Sequence, residues 1–596
     1  YIPGVLTAAG TIGAFATVYA AYALYDFLSP AIAFGALALV ALATLAAAIV
    51  HGPGLAALGL IGAYVTPFLV ASENPDKTVF AVYLLVVTAA ALALARLRTW
   101  RWLALTTLAI SIGFGVLLSM PLYALGLAAL AGLILVVMAH PADAPRDVPQ
   151  DWIAIGGLLA IGLMGISTMG LGTQGFPTQA MIAGFAGGVL FLALRYPAVA
   201  TAAVVAAFIA GLGVLATDLD IQAAINADTF ATGTDNLVVQ RPADVSAFLW
   251  RSGLLGLFIF AAALYGALRS ATEAPKASAR FVSAATLAAT GIIAATWARV
   301  DALETSWPFA IIALAVGAVL VVMVEMLSRR EPEDFRLPSG VAAASAVAAI
   351  ALSFSIGLEK GVLTIALATL VPALAWIATV RGLPSLRHVA LVAALGVAAR
   401  LAWDPRIVGD DLGSWPILNW LLVGYGIPAL GTAFAAYTFR RMASDLTVRA
   451  LEGLAIIFTV VFAVMQIRHI AHAGDVFYPG TVLSEAGLVA AVLFALAIGL
   501  DRIARAPDAG PVFTVAAFIT PVIAAVYAAL ALYVVANPSF TGVPIRGPIV
   551  LDELLIGYGV PALLAALAAY QTLGREPSWR PRLLGLSALV LFVTWS

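Results

Sequence analysis

Two groups of ionisable side chains stand where they could do chemistry. Arg400, Asp404, Asp410 and Asp411 follow one apolar run, and Arg546, Asp552 and Glu553 occupy the corresponding stretch of another. Ionisable residues at membrane depth are costly and point to substrate or ion pathways. Guanidinium and carboxylate groups placed together can hold an asymmetric polar ligand. The substrate-binding residues expected on this ground are Arg400, Asp404, Tyr425, Arg546, Asp552, Glu553 and Tyr558. The plainer reading makes the charged ones helix caps and solvated loop groups at the interface. A third group, Arg468, His469, His472 and Asp475, lies in Arg-His-Ile-Ala-His-Ala-Gly-Asp. Histidines at i and i+3 share a helical face, and with Asp475 they form a weak metal candidate. An interfacial anchor or pH-sensitive cap is the competing reading. No cofactor is expected.

What must position the first two groups is a repeated module. Leu418-Asn-Trp-Leu-Leu-Val-Gly-Tyr-Gly-Ile-Pro-Ala-Leu430 returns as Leu551-Asp-Glu-Leu-Leu-Ile-Gly-Tyr-Gly-Val-Pro-Ala-Leu563, offset by 133 residues. Upstream, Asp404-Pro405 falls on Asn537-Pro538, and downstream Arg449 falls on Arg582. Proline after the Asx residue stops a helix, because it removes the preceding residue from the α region. The Gly-Tyr-Gly-x-Pro run inside the next span predicts close backbone approach and a carbonyl freed near Pro428 and Pro561. Such a carbonyl serves either packing or a substrate path. Asp552 and Glu553 replace Asn419 and Trp420, so the copies differ in charge. Weaker copies exit near Asn74 and Asp218, giving units around 29–120, 180–300, 361–470 and 487–596 within a single membrane domain, 1–596.

The 596 residues are 63% hydrophobic and 10% charged, with a mean hydropathy of +1.05. Soluble domains carry about 25% charge, so this chain has too much apolar surface for a water-soluble fold. Apolar runs of about 18–25 residues, enough to cross roughly 30 Å of hydrocarbon, recur almost back to back. They predict an all-α polytopic integral membrane protein of about 20 transmembrane helices, best counted as 21, in tandem parallel repeats. The absence of cysteine excludes disulfides and thiolate metal sites. The chain opens with Tyr1-Ile-Pro and stops inside an apolar run, so it is expected to be part of a longer polypeptide.

Alternating the spans places the 96–101, 140–151, 269–280, 329–336, 381–387, 440–449, 502–508 and 575–582 loops on one side, with most of the Lys and Arg. The positive-inside rule makes that side cytoplasmic in a bacterial inner membrane. Acidic residues lean the other way, and the long polar loop at 218–244 becomes periplasmic. Short basic loops that report topology give no reason to expect a nucleic-acid partner. Within the spans, Arg251 can pair with Asp244 or snorkel outward. Glu325 and Glu452 are expected to pair locally with Arg329, Arg330 and Arg449. Gly170-Leu-Gly-Thr-Gln-Gly175 matches G-x-G-x-x-G, but no strand precedes it and the nucleotide reading fails on context.

Three segments bear a family resemblance: Tyr19-Ala-Ala-Tyr-Ala-Leu-Tyr25, His51-Gly-Pro-Gly-Leu-Ala-Ala-Leu-Gly-Leu-Ile-Gly-Ala-Tyr-Val-Thr-Pro67, and Arg98-Thr-Trp-Arg101-Trp-Leu-Ala. The chain resembles bacterial membrane proteins grouped as "domain of unknown function 2339", especially alphaproteobacterial ones, and most clearly over residues 1–120. The resemblance implies a very hydrophobic inner-membrane protein, usually with a polar or coiled-coil segment and further spans ahead of the point where this chain begins. It implies no activity, substrate or catalytic residue.

Three function classes stay open. A transporter-like carrier, with its substrate site on the non-cytoplasmic side of the repeat interface, fits the Gly/Pro-broken spans in matched positions. A non-catalytic scaffold or accessory subunit of an envelope complex fits the sparse intramembrane charge. A membrane enzyme or flippase for a lipid-linked substrate ranks last, because no catalytic motif is present. The corresponding partners are the lipid bilayer, a lipid or small-molecule ligand, and a protein partner in a membrane complex.

Overall fold

A computed structural model describes residues 2–596 apart from 71–76, 146, 169–175, 218–242, 331–336, 359, 384–385, 404–411, 414, 508, 546, 549–551 and 576. The described residues are helical, with no strand among them. Among the described residues, fifteen helices are long and apolar enough to cross a membrane. Five shorter apolar helices, Pro53–Leu69, Pro121–Val137, Trp152–Thr168, Ala202–Ala216 and Ile365–Arg381, accompany them. With Trp579–Trp595, these elements account for all 21 expected spans. Large apolar side chains face outward along them, including Leu117, Phe191, Ile311, Trp376 and Leu430. Exposure on this scale is untenable in water and ordinary against lipid tails. The protein is therefore a multi-pass membrane protein in contact with the bilayer.

The chain divides into two compact units, Tyr1–Gly357 and Leu358–Ser596. In the first, a continuous core runs from Ala41 to Ala349 and is rich in alanine. Small side chains let apolar helices approach closely where hydrophobic driving force is weak. Hydroxyls supply the polar glue. Tyr64 Oη lies 2.7 Å from Ser111 Oγ and 3.1 Å from Thr88 Oγ1, Thr88 and Ser111 are themselves 2.7 Å apart, and Tyr123 Oη donates to the Ser111 carbonyl at 3.2 Å.

The second unit consists of two sets of four helices. The first set is Lys360–Arg381, Leu386–Trp403, Leu422–Arg440 and Leu446–Ala471. The second is Leu483–Ile503, Pro511–Leu530 with its extension to Val535, Leu555–Thr572, and Trp579–Trp595. In each set the first helix packs on the second and third, and the fourth packs on the third and second. The helix ending at Trp403 stops immediately before Asp404-Pro405, and the run ending at Val535 stops before Asn537-Pro538. Asn537 accepts from the Ser539 amide at 3.0 Å and so caps the short turn that follows.

Gly-Tyr-Gly forms a π-helical turn in both sets, Leu422–Gly426 and Leu555–Gly559, and an α-helix with proline at its second residue follows each. Proline cannot donate the regular helical hydrogen bond, and a wider turn ahead of it accommodates the loss. The second glycine of each run meets the same two neighbours. A Cβ on Gly426 would stand 2.8 Å from Leu422 Cδ1 and 3.4 Å from Phe462, and one on Gly559 would stand 2.8 Å from Leu555 Cδ1 and 3.2 Å from Trp595. Gly557 lies against the backbone of the neighbouring helix: a Cβ on Gly487 would overlap Ile556 O and Gly557 Cα. These glycines are there for packing. The tyrosines between them are buried, and Tyr558 Oη donates to the Leu532 carbonyl at 2.9 Å. Leu532 belongs to a further π turn, Ala531–Val535, so here an irregular turn serves helix packing.

Candidate functional site

A dense polar cluster of the second unit forms at the C-terminal end of the Leu446–Ala471 helix. This helix starts at Asp445, whose Oδ1 accepts from the Val448 amide at 3.1 Å. It ends where Ala473 and Gly474 take positive φ, with the Gly474 amide bonding back to the His469 carbonyl. The last turn presents Gln466, Arg468, His469 and His472 in two directions.

On one side, Arg468 and His472 share a carboxylate. Arg468 Nη1 donates to Glu485 Oε1 at 2.7 Å, and His472 Nε2 lies 2.8 Å from Glu485 Oε2. Glu485 sits in the first turn of the Leu483–Ile503 helix, where the helix dipole favours a negative charge. The Glu485 and His472 side chains are only 4% and 5% exposed. Arg468 also closes the intervening loop, donating from Nε to the Val476 carbonyl at 2.8 Å and from Nη2 to the Tyr478 carbonyl at 2.6 Å. The Tyr478 ring stacks on His472 at 4.8 Å. One carboxylate thus holds a permanent cation and a titratable imidazole in a nearly dry place.

On the other side is an amide pair. Asn419 Nδ2 donates to Gln466 Oε1 at 3.1 Å, and Gln466 Nε2 donates back to Asn419 Oδ1 at 3.0 Å. Asn419 Oδ1 also accepts from the Leu421 amide at 3.1 Å, which caps the run into the Gly-Tyr-Gly turn. His469 Nε2 lies 2.8 Å from the Gly413 carbonyl and Nδ1 lies 3.4 Å from Asn419 Nδ2. A carbonyl can only accept, so this arrangement fits the neutral tautomer with its proton on Nε2.

The three residues of the weak metal candidate take separate partners. His469 bonds Gly413 and Asn419, His472 bonds Glu485, and Asp475 Oδ1 accepts from the Phe477 amide at 3.0 Å. The three do not converge, and no group of three metal-ligating side chains occurs among the described residues. The i, i+3 spacing put the histidines on one face, but the chain reverses direction at Gly474 and carries Asp475 into a loop turn.

Of the expected substrate residues, Asp404 and Arg546 lie outside the described residues, as do Asp410 and Asp411. Arg400 is half-buried in the last turn of its helix. Asp552 Oδ1 accepts from the Leu554 amide at 3.0 Å and the Leu555 amide at 3.2 Å, so it caps its helix as Asn419 does. Glu553 is half-buried beside it. Tyr425 and Tyr558 are buried within separate clusters of the core. Elsewhere, Glu325 pairs with Arg329 at 3.0 Å, as expected. Glu452 instead bonds Arg440 at 3.4 Å rather than Arg449; the partner comes from the preceding helix, not the same one. Arg251 reaches Gln179 at 3.5 Å. The Gly170–Gly175 motif and residues 218–242 of the long loop lie outside the described residues.

Glu485 was missed in the sequence. Its signal was a lone acidic residue two positions into an apolar span, just after a histidine-rich segment. A second charged cluster, in the first unit, gave less warning. Asp151 caps the Trp152–Thr168 helix through the Ile153 and Ala154 amides, both at 3.1 Å, and also holds Arg96 and, at 3.0 Å, His140. Burial pushes the Asp151 carboxyl up, but Arg96, the Ala154 amide and His140 outweigh it and hold the group below its ordinary value. These side chains line a cavity of about 420 Å³. His140 and Asp151 bound one loop, but Arg96 comes from 55 residues before Asp151, and no local spacing joins it to them.

No curated protein and no solved structure matches the chain. A family model does match, over residues 1–596, and its description fits a fold of many apolar helices. The chain belongs to the family described as "Predicted membrane protein (DUF2339)".

Proposed function

We propose that the chain is a transporter-like carrier whose working step is coupled to protonation of the Glu485–His472 pair. The observation that supports this reading is one buried carboxylate bridging a permanent cation and a titratable imidazole. Buried Asp, Glu and His chains of this kind serve as proton relays in membrane carriers. When His472 is charged, Arg468, Glu485 and His472 carry one net positive charge; when it is neutral they carry none. A solute bound nearby would feel that change strongly in a low dielectric. The amide pair beside it offers neutral donors and acceptors, while Asp552, Glu553 and Arg400 are proposed as charged substrate contacts on the same unit. Tyr425 and Tyr558 then act as positioning residues for the broken helices. In this reading the basic loops face the cytoplasm of a bacterial inner membrane.

The test is proton flux into liposomes holding the full chain and an internal pH dye, with and without a small-molecule extract of the source cells. Wild type is expected to dissipate an imposed pH gradient faster than empty liposomes, and Glu485→Gln is expected to return the rate to the empty-liposome value. Circular dichroism of the variant checks that it folds. A wild-type rate equal to the empty control in both conditions overturns the proposal and leaves the scaffold reading ahead.

A further inference from the structure

The second helix set carries an excess of positive charge at the end where its first helix finishes. Asp501, in the last turn of the Leu483–Ile503 helix, faces three arginines. Arg505 pairs with Asp501 Oδ2, Arg575 Nη1 lies 3.4 Å from the same oxygen, and Arg580 Nη2 lies 3.3 Å from Oδ1. The cluster carries a net charge of two positive units. Three guanidinium groups bring roughly fifteen N–H donors, against about four acceptor sites on one carboxylate. Two carbonyls take up a little of the surplus: Arg580 donates to Ala517 at 2.7 Å and Arg505 reaches Gln571 at 3.5 Å. Among the described residues, much of it is left over. Arg580 Nε is buried with no hydrogen-bond partner, although its side chain is only 12% exposed.

An arrangement of this sort is unfavourable unless something negative completes it. The corresponding end of the first helix set distributes its carboxylates differently. There Arg387 has Asp445 at 2.7 Å and Arg440 has Glu452 at 3.4 Å, one carboxylate for each. Met442 and Thr447 stand where the second set has Arg575 and Arg580. Among the described residues, the second set therefore gathers on one carboxylate two arginines that have no counterpart at the matching positions of the first.

We propose that Arg505, Arg575 and Arg580 form a binding site for a phosphate oxyanion. Planar guanidinium forks match phosphate oxygens in bidentate pairs. The Arg505 and Arg575 side chains are 38% and 44% exposed, so the site is open to an incoming group. Beside it, the exposed Trp579 and Phe518 rings pack edge to face at 5.1 Å. Aromatic residues next to basic ones mark the headgroup level of a bilayer, and basic pockets between membrane helices take anionic headgroups. The chemistry is shared by an anionic phospholipid and by a free phosphoryl solute.

Native mass spectrometry of the full chain in detergent separates these sources, using phosphatidylglycerol, phosphatidylcholine and inorganic phosphate as probes. Wild type is expected to retain phosphatidylglycerol several-fold over phosphatidylcholine. The Arg505→Gln/Arg575→Gln double variant, which alters only the two exposed side chains, is expected to lose that preference. Asp501→Asn, which removes the competing carboxylate, is expected to increase retention. A rise in melting temperature with phosphatidylglycerol alone assigns the site to lipid, and a rise with inorganic phosphate as well assigns it to the phosphoryl group itself. Equal retention of both lipids by wild type, or an unchanged preference in a folded double variant, overturns the site.

Discussion

The two helix sets of the second unit share their backbone devices and differ in their charges. Each has a π turn at Gly-Tyr-Gly, a proline just after it, a capping oxygen just before it, and an aromatic ring of the fourth helix against its second glycine. Yet Asn419 engages an amide and a histidine, whereas Asp552 only caps. At the opposite ends, the first set gives Arg387 and Arg440 a carboxylate each and the second gathers three arginines on Asp501. Apolar packing tolerates little change once helices touch backbone to backbone. Polar side chains at helix ends are under no such restraint and are free to acquire separate roles. Functional differences between the sets are therefore expected at their ends.

The largest effect is expected at the tightest contact. Gly487→Ala places a Cβ onto Ile556 O and Gly557 Cα, both backbone, so one helix must move. Overpacking typically costs about 1–3 kcal/mol and occasionally more, and this site belongs at the upper end. In the other set, Gly431→Ala meets Pro372 side-chain carbons at 3.0 and 3.2 Å and calls for a smaller shift. Melting temperatures in detergent check the order; a Gly431→Ala loss as large as that of Gly487→Ala breaks the account of where the backbones meet. Next comes Glu485→Gln, which leaves Arg468 and His472 without their carboxylate. Breaking a buried pair from one side costs about 3–5 kcal/mol, reduced here because Arg468 keeps two carbonyls. Glu452→Gln in the first helix set strands only Arg440, which also lies over the Phe513 ring, and is expected to cost less.

These contacts also show what was legible beforehand. Span number and position follow from run length, because a helix must cover the hydrocarbon core whatever its neighbours are. Duplication of the Gly-Tyr-Gly segment was equally plain, since identical local sequence has identical turn chemistry. The partner of a charge was not. Glu452 chose Arg440 over the nearer Arg449 because helix packing brought it there, and Asp501 collected Arg575 and Arg580 from more than seventy residues away. His469 and His472 looked like one face and have different partners, because Asn419 arrives from one side and Glu485 from the other. Long-range pairing depends on how helices are arranged, and an apolar sequence carries little record of it.

A smaller effect separates the two caps. Asp552→Ala removes one cap and is expected to cost about 1 kcal/mol. Asn419→Ala removes a cap and also leaves Gln466 and His469 unsatisfied, so its loss should be clearly greater. Equal losses in melting temperature would mean that the amide pair adds nothing.

The smallest effect is one of pH, at Asp445 of the first helix set. Burial pushes its carboxyl up, but the Val448 amide, Arg387 and the charge of His388 more than compensate and hold it below the ordinary value. A depressed folded value means that the unfolded chain takes up a proton first. Asp445 therefore contributes stability above the unfolded value of about 3.9, and loses it as pH falls through the lower folded value. Asp445→Asn keeps an oxygen to cap the helix but loses the charge facing Arg387. The variant should melt slightly below wild type at neutral pH, and the gap should close on acidification below pH ~4. The side chain is 35% exposed, so solvent screening keeps the effect small. A gap that stays constant from neutral to acid pH would assign the loss to altered packing around Arg387 rather than to charge, and the balanced pair of the first helix set would then be no electrostatic counterpart to the crowded Asp501.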